Sequence, residues 1–232
     1  MVQVEAGASE PESRHARRLL VTTGVTDQLP DLPGIAARWG RDVLHCPYCH
    51  GWEVRDQAIG VLGSPMAVHQ ALLFRQLSED VVLFTHTAPP PADDDLARLA
   101  GRGIRVVSGE VAGLDVRDDA LHGLRLASGE TVARQALVVA PRFRANADLL
   151  GGLGLQPVEM VRDDQVLGHH VPSDPASGAT TVPGLYVAGN VTDPMAQVIG
   201  AANAGLRAGA MINADLAMAE AAAAMDRMPV AG

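Results

Sequence analysis

Two cysteines separated by two residues are the most reactive feature of this sequence. Cys46 and Cys49, the only cysteines of the chain, lie in the segment HCPYCHGWE together with His45 and His50. In a Cys-x-x-Cys pair one thiolate can attack a disulfide, and the second thiol can resolve the mixed disulfide. Histidines beside the pair could accept the thiol protons. The segment therefore indicates a redox-active dithiol.

The same spacing is compatible with three other kinds of site. CPYC also occurs in glutaredoxins, but the TVP signature of that compact fold would have to lie much nearer than the TTVPG at 180–184. A haem bound through Cys-x-x-Cys-His goes with export, and the N-terminus does not resemble an export signal. Zinc needs two further ligands, and only His45, His169 and His170 are candidates. We interpret the pair as a redox site and predict no metal site.

Composition and charge restrict the function further. The 232 residues include 18 basic and 27 acidic residues, and the net charge of −9 argues against nucleic acid or an anionic membrane as partner. No run of about 18 apolar residues could span a membrane. We expect a cytoplasmic protein, in which a close cysteine pair is more often catalytic or metal-binding than structural.

The segments around the pair predict an α/β protein. Residues 58–77 predict a strand, a Gly-Ser-Pro turn and a helix, and DVVLFTH then predicts a second strand, parallel to the first. Residues 104–141 predict a small antiparallel meander that leads into the buried strand ALVVAP, and a long helix is expected from about 195 to 224. Three predicted strands end in glycine, at Gly24, Gly63 and Gly189. Because ligands bind at the carboxyl ends of parallel strands, we predict a nucleotide-binding type of protein.

Four segments in order resemble the low-molecular-weight thioredoxin reductases: LLVTTGVTDQLPDLPGI, HCPYCHGWE, VVAPRF and VPGLYVAGNVTDPMAQVIGAANAG. The resemblance covers nearly all of residues 16–216 and includes the fungal dithiol oxidases of gliotoxin type, which carry a CxxCH motif. It implies an α/β fold in which a Rossmann-like NAD(P)-type domain is inserted into an incomplete FAD-binding domain. The implied segments are a disordered N-terminus (1–15), the FAD part (16–38 and 141–216), the NAD(P)-type domain with the CxxC (39–140) and the helix end with the tail (217–232).

In this family, flavin reduced by NADPH passes electrons to the CxxC disulfide, and the dithiol passes them to a substrate disulfide. The resemblance implies that Cys49 faces the flavin, that Cys46 attacks the substrate and that His50 handles the proton. It also implies FAD and NADPH or NADH as cofactors, and a thioredoxin-like protein or a small dithiol as partner.

The resemblance further assigns cofactor contacts. Gly24, Gly189, Asn190 and Val191 would line the FAD, and Gln197 and Val198 would meet the flavin ring with backbone N–H groups. The NAD(P) turn would consist of Gly63, Ser64, Pro65, Met66 and Ala67.

The sequence departs from the family pattern at both dinucleotide sites. It contains no G-x-G-x-x-G segment for FAD, and its turn at 63–67 is one residue shorter than G-x-G-x-x-A. His86 follows the second strand of the NAD(P)-type domain, where NADPH-dependent members have arginines. Two alternatives therefore stay open, a flavin-free relative that acts as a binding or dimerisation module and a dithiol oxidase that uses oxygen.

The same departure predicts an association. Without the strands of the first FAD segment, apolar edges at 16–24, 137–140 and 185–188 should be exposed. We therefore expect a homodimer that covers them.

Overall fold

The computed structural model describes residues 2–4, 12–162 and 164–228. The chain divides into two compact units, one of Met1–Asp27 with Phe143–Gly232 and one of Gln28–Arg142. We call them unit 1 and unit 2. Residues 28–38, which we expected in the FAD part, belong to unit 2 because Leu32 and Ile35 are buried in its core.

Sixteen strands and five helices are found in the described residues. The strands are β1 (Val2–Val4), β2 (Glu12–Arg14), β3 (Leu19–Val21), β4 (Val25–Gln28), β5 (Val43–Leu44), β6 (Ile59–Leu62), β7 (Val81–Phe84), β8 (Arg105–Val107), β9 (Val111–Arg117), β10 (Ala120–Leu126), β11 (Thr131–Ala133), β12 (Ala136–Val138), β13 (Arg142–Ala145), β14 (Val158–Arg162), β15 (Gln165–His170) and β16 (Leu185–Val187). The helices are α1 (Ile35–Arg38), α2 (Pro47–His50), α3 (Ala67–Phe74), α4 (Asp93–Gly101) and α5 (Val198–Met225), with 3-10 turns at Gly51–Val54 and Asp148–Leu153.

Unit 2 is built on a five-stranded parallel sheet in the order β5-β12-β6-β7-β8. Every residue of β6, β7 and β12 is buried, as expected for strands covered on both faces. The parallel pairing of β6 with β7 across α3 confirms the predicted strand–helix–strand unit. The sheet brings the carboxyl ends of β5, β6 and β7 to one edge.

The predicted meander is confirmed for residues 111–133, which form the antiparallel sheet β11-β10-β9. The first part of that prediction is wrong, because β8 pairs parallel with β7 in the five-stranded sheet. The apolar side chains of the antiparallel sheet, among them Leu114 and Leu124, pack with Val82 and Phe84 of the parallel sheet. The alternating pattern of β10 therefore has one face in the core and the other in solvent.

A buried arginine ties α1 to this meander. Arg38 is 5% exposed, its Nε lies 2.8 Å from Asp42 Oδ1, and its Nη1 lies 2.7 Å from Asp119 Oδ1. The hydrogen bonds to Asp42 and then Asp119 raise the pKa of Arg38. Asp42 also accepts the N–H of Leu121 at 2.9 Å, so the two ion pairs of Arg38 join α1, the residue before β5 and the β9–β10 turn.

Unit 1 contains the parallel pair β16-β3, the sheet β14-β15-β13-β4 and the long helix α5. The helix starts at Val198 and ends at Met225, close to the predicted 195–224. Asp215 of α5 binds Arg18 through both carboxylate oxygens and accepts the Tyr186 hydroxyl at 2.8 Å. These contacts fasten the helix to the ends of β3 and β16.

Two expectations change in the structure. Residues 137–140 do not form an exposed edge, because β12 pairs with β5 on one side and β6 on the other. In the predicted disordered segment 1–15, residues 1 and 5–11 lie outside the described residues, whereas β1 and β2 pair antiparallel. The end of the tail, residues 229–232, also lies outside them. Within the described part of the chain no helix is long and apolar enough to cross a membrane.

Candidate functional site

The two cysteines occupy one short helical turn at the edge of the parallel sheet. The chain leaves β5, Cys46 caps the N-terminus of α2, and Pro47 is its first residue, where the missing N–H has no effect on the helix. Cys46 is half-buried and Cys49 is exposed, and both are free thiols. Gly51 lets the turn pack closely on the Leu77 side chain, which follows α3, since a Cβ there would lie 2.5 Å from Leu77 Cδ1.

The two thiols interact with each other. A hydrogen bond with Cys46, assisted by burial, raises the pKa of Cys49 to about 11. Protons leave such a pair in steps that belong to both sulfurs. The roles of Cys46 as nucleophile and Cys49 as resolving thiol remain what the family resemblance implies.

His50 is the third predicted site residue in this turn. It is the last residue of α2, and its Nδ1 lies 3.1 Å from the Glu53 carboxylate. Both side chains are more than half exposed, at 52% and 68%. His50 can therefore exchange protons with water beside the pair. The structure brings Cys46, Cys49 and His50 together, as the spacing required.

Two exposed aromatic side chains surround the pair and were not among the predicted site residues. Tyr48 is 75% exposed and Trp52 is 69% exposed, in a chain whose aromatic content is 3%. The guanidinium of Arg55 lies 4.4 Å from the centre of the Trp52 ring. Their position next to the CxxC motif was the feature of the sequence that could have identified them as site residues. Exposed aromatic faces of this kind are typical of binding surfaces.

The predicted NAD(P) turn joins β6 to α3 but does not fit a pyrophosphate. Met66 N–H donates to Ser64 Oγ at 3.2 Å, Ala67 N–H donates to the Ser64 carbonyl at 3.1 Å, and Pro65 has no N–H. The turn itself therefore uses donors that a dinucleotide loop would offer to phosphate. Gly63 serves packing, because a Cβ there would lie 2.0 Å from the carbonyl oxygen of Thr85.

A cavity of about 370 Å³ lies beyond β6 and β7. Its lining includes Asp31, Glu110 and His86 but neither lysine nor arginine. His86 Nδ1 accepts the Val111 N–H at 3.1 Å, so this nitrogen is not a donor to a ligand. The cavity therefore does not fit a 2′-phosphate, in agreement with the missing arginines.

The predicted FAD residues lie at the ends of β3 and β16. Gly24 and Gly189 have positive φ of 72° and 87°, and a Cβ at Gly24 would lie 3.2 Å from Asn190 Oδ1. The Val191 side chain is buried in the core of unit 1, and its carbonyl accepts the Val171 N–H at 2.8 Å. Val191 can thus offer a ligand no side-chain surface.

The start of α5 does fit a flavin edge. Gln197 is the N-cap without a side-chain capping bond, and Val198 is 88% exposed. The first N–H groups of this long helix carry the positive end of its dipole. They could hold the carbonyl groups of a flavin ring.

Within residues 2–4, 12–162 and 164–228, no three His, Cys, Asp or Glu side chains come together as a metal site.

The parallel sheet, the glycine turns and the CxxC turn define a flavoprotein-type disulfide oxidoreductase. The family model "Pyridine nucleotide-disulphide oxidoreductase" matches residues 2–209, and the chain belongs to this family. It is thioredoxin reductase-like, and such proteins typically depend on FAD and NAD(P)H.

Comparison with individual proteins is consistent with this family. The chain is 28% identical over 211 residues to "Thioredoxin reductase sirT" of Leptosphaeria maculans, covering 85% of this chain and 62% of that protein. It resembles the crystal structure of HlmI at 44% identity with a TM-score of 0.79, covering 90% of this chain and 63% of HlmI. An oxidoreductase from Agrobacterium tumefaciens matches at 34% identity with a TM-score of 0.80, over 93% and 69% of the two chains. The chain thus spans less than two-thirds of the first two proteins.

Proposed function

We propose that this protein is a thioredoxin-reductase-like oxidoreductase whose Cys46–Cys49 pair exchanges with a substrate disulfide. The observation that carries the proposal is the pair of free thiols in one short turn after β5, with Cys46 half-buried and Cys49 exposed. Family membership supports it independently.

The steps of the exchange follow from the order in which the two thiols react. The Cys46 thiolate attacks one sulfur of the substrate disulfide, so that a Cys46–substrate bond forms and the other substrate sulfur leaves as a thiolate. Cys49 then loses its proton and attacks Cys46 Sγ, which forms the Cys46–Cys49 disulfide and releases the second substrate thiolate. His50 is placed to exchange the protons with water. The substrate is reduced by two electrons and the pair is oxidised by two electrons.

The pair must then recover its electrons. Flavin supplies two-electron transfer when bound, and the residues of this chain suited to its ring edge are Gln197 and Val198. The turn at 63–67 does not fit NAD(P)H.

The turn at 63–67, which does not fit NAD(P)H, favours a second candidate function. A chain that takes no electrons from NAD(P)H can run the exchange in the opposite direction, in which the Cys46–Cys49 disulfide oxidises a substrate dithiol. The products are the substrate disulfide and the enzyme dithiol. The next turnover requires molecular oxygen as oxidant, which takes two electrons and two protons from the enzyme dithiol, becomes hydrogen peroxide and leaves the Cys46–Cys49 disulfide. We propose a thioredoxin-like protein or a small dithiol as the partner in either direction, with Tyr48 and Trp52 exposed beside the pair to contact it.

Trapping the mixed disulfide tests the proposal. Cys49→Ser keeps the nucleophile without its resolving thiol, and Cys46→Ser is the matched control. After incubation with glutathione disulfide, intact-mass measurement should show one bound glutathione on Cys49→Ser and much less on Cys46→Ser. The wild-type protein should instead form its internal disulfide. Equal labelling of the two variants would contradict the assigned order, and no labelling of either would contradict the function. An absorption spectrum of the purified protein tests flavin binding separately.

We further propose self-association through α5. Ile199, Leu206 and Met218 are each more than 70% exposed on this helix, which is unusual for large apolar side chains. Light scattering should show a dimer that Leu206→Asp weakens, whereas a monomer at all concentrations would contradict this proposal.

A further inference from the structure

One asparagine closes the turn that follows β3. Residues 22–24, which we call the β3 turn, link β3 to β4, and Gly24 in this turn has a positive φ of 72°. Asn146 lies directly after β13. Its backbone N–H donates to the Gly24 carbonyl at 3.0 Å, and its side-chain Nδ2 donates to the Thr23 carbonyl at 3.1 Å. The last two carbonyl groups of the turn are therefore bound by one residue.

The other polar groups of Asn146 are engaged as well. Thr23 Oγ1 donates to the Asn146 carbonyl at 2.5 Å, and Thr26 Oγ1 donates to Asn146 Oδ1 at 2.7 Å. These contacts orient the side-chain amide, because the reverse orientation would place Oδ1 against the Thr23 carbonyl oxygen. A carboxylate at this position could not donate to Thr23, and an aliphatic side chain could make neither side-chain contact.

The β3 turn keeps its own donors free. Among the described residues, the backbone N–H groups of Thr23 and Gly24 make no hydrogen bond, and Thr23 is exposed. The turn after β6 is the opposite case, since Ser64 accepts the N–H groups of Met66 and Ala67. A turn whose carbonyl groups are bound and whose N–H groups are not is suited to a ligand that accepts hydrogen bonds.

The β3 turn adjoins the other residues that the family resemblance assigns to FAD. A Cβ at Gly24 would lie 3.2 Å from Asn190 Oδ1, and a Cβ at Gly189 would lie 4.0 Å from the Ala201 side chain in the first turn of α5. The β3 turn, residues 189–190 and the start of α5 are therefore neighbours within unit 1. The N–H groups of the β3 turn and those of the first turn of α5 can serve one ligand.

We propose that Asn146 is a positioning residue for FAD. It binds the carbonyl groups of the β3 turn, so that the N–H groups of the turn are left for acceptor oxygens of the cofactor. Asn146 acts on the cofactor only through the turn. The proposal rests on the proposed function, in which bound flavin returns electrons to the cysteine pair.

The first test adds FAD to the wild-type protein and follows backbone ¹H–¹⁵N signals. The amide protons of Thr23 and Gly24 should shift to higher frequency, because the cofactor accepts hydrogen bonds from them. The amide signal of Asn213, which is exposed on α5, should not move.

The second test compares Asn146→Ala with Asn213→Ala. Asn146→Ala removes both side-chain hydrogen bonds, whereas Asn213 makes none among the described residues and is the matched control. Equilibrium dialysis with FAD gives the dissociation constant and the number of sites. We expect Asn146→Ala to raise the dissociation constant about tenfold with the number of sites unchanged, as loss of the donor to a turn carbonyl does. A purely structural role would instead lower the number of sites at an unchanged dissociation constant.

Several results would overturn this proposal. Unmoved signals of Thr23 and Gly24 at high FAD concentration refute it without any variant, so the test does not depend on whether Asn146→Ala folds. A wild-type protein that binds no FAD refutes it, as does an unchanged dissociation constant in Asn146→Ala or an equal rise in Asn213→Ala. Trapping of the mixed disulfide needs no flavin. Failure of this proposal and failure of the proposed function are therefore distinguishable.

Discussion

Alanine at position 63 tests whether Gly63 serves the sheet or a nucleotide. The added methyl group would lie 2.0 Å from the Thr85 carbonyl oxygen and 2.9 Å from that of Phe84, whereas ordinary contacts begin at 3.4 Å. The obstacle is backbone, so no side-chain rotation can relieve it. The ends of β6 and β7 would have to separate by roughly 1.4 Å.

The expected loss of stability follows from the neighbours of β7. This strand is paired with β6 and β8 at once, and the Thr85 N–H donates to the Val107 carbonyl at 2.9 Å. Moving it disturbs both pairings. Overpacking of a core typically costs about 1–3 kcal/mol, and an obstacle made of backbone belongs at the upper end. We therefore expect Gly63→Ala to lower the free energy of unfolding of unit 2 by about 3 kcal/mol.

Urea unfolding followed by tryptophan fluorescence measures this quantity. Trp39 and Trp52 are the only tryptophans of the chain, and both lie in unit 2. Gly101→Ala is the control, since a methyl group at this last residue of α4 meets nothing within 4 Å. It should leave stability unchanged or raise it by up to about 1 kcal/mol. A Gly63→Ala protein within about 1 kcal/mol of wild type that has lost binding of NAD(H) or NADP(H) would refute the packing role.

Three further changes have defined outcomes. The hydrogen bond from Arg18, followed by that from Tyr186, lowers the pKa of Asp215 to about 2, so its contribution to stability is complete above the unfolded pKa near 4 and is lost as the pH falls towards 2. In Asp215→Asn, the midpoint of unfolding should depend less on pH across this acid range than it does in the wild-type protein. Arg38→Met should lower the free energy of unfolding of unit 2 by about 3 kcal/mol in urea, because its carboxylate partners lose a buried cation. Cys46→Ala should lower the pKa of Cys49 from about 11, since the hydrogen bond that raises it is removed, and the pH midpoint of Cys49 alkylation reports the change.

Controls separate these effects from general damage. Asp226→Asn, just beyond α5, should keep the acid dependence of wild type. Arg41→Ala removes an exposed partner of Asp119 and should change stability by less than about 1 kcal/mol. An alkylation midpoint of Cys49 that stays unchanged in Cys46→Ala would contradict the hydrogen bond with Cys46 as the cause of the raised pKa.

Much of the fold could be predicted because it depends on local patterns. The apolar runs at 59–62 and 81–84 indicate buried strands, and the alternation at 120–126 indicates a half-exposed one. The redox character of the CxxC segment follows from residue type and spacing, which tertiary structure does not alter. The family resemblance was readable for the same reason, since its motifs are contiguous stretches.

Contacts between distant segments could not be predicted in this way. The apolar residues at 137–140 could be an exposed edge or a central strand, and only the pairing of β12 with β5 and β6 decides which. Gly63 was predicted as part of the NAD(P) turn, and only the structure shows that a Cβ at this residue would meet the backbone of Thr85 after the next strand.

The sequence by itself determined that this chain carries a dithiol on an α/β scaffold of the thioredoxin reductase type. Tertiary structure decided how the pKa of Cys49 is shifted, whether the turn after β6 has donors left for phosphate, and that Gln70 reaches His45. The physical reason is that pKa values, hydrogen-bond saturation and tautomers depend on distances of a few ångströms between segments. Sequence patterns report burial and backbone preference along the chain and carry no information on those distances.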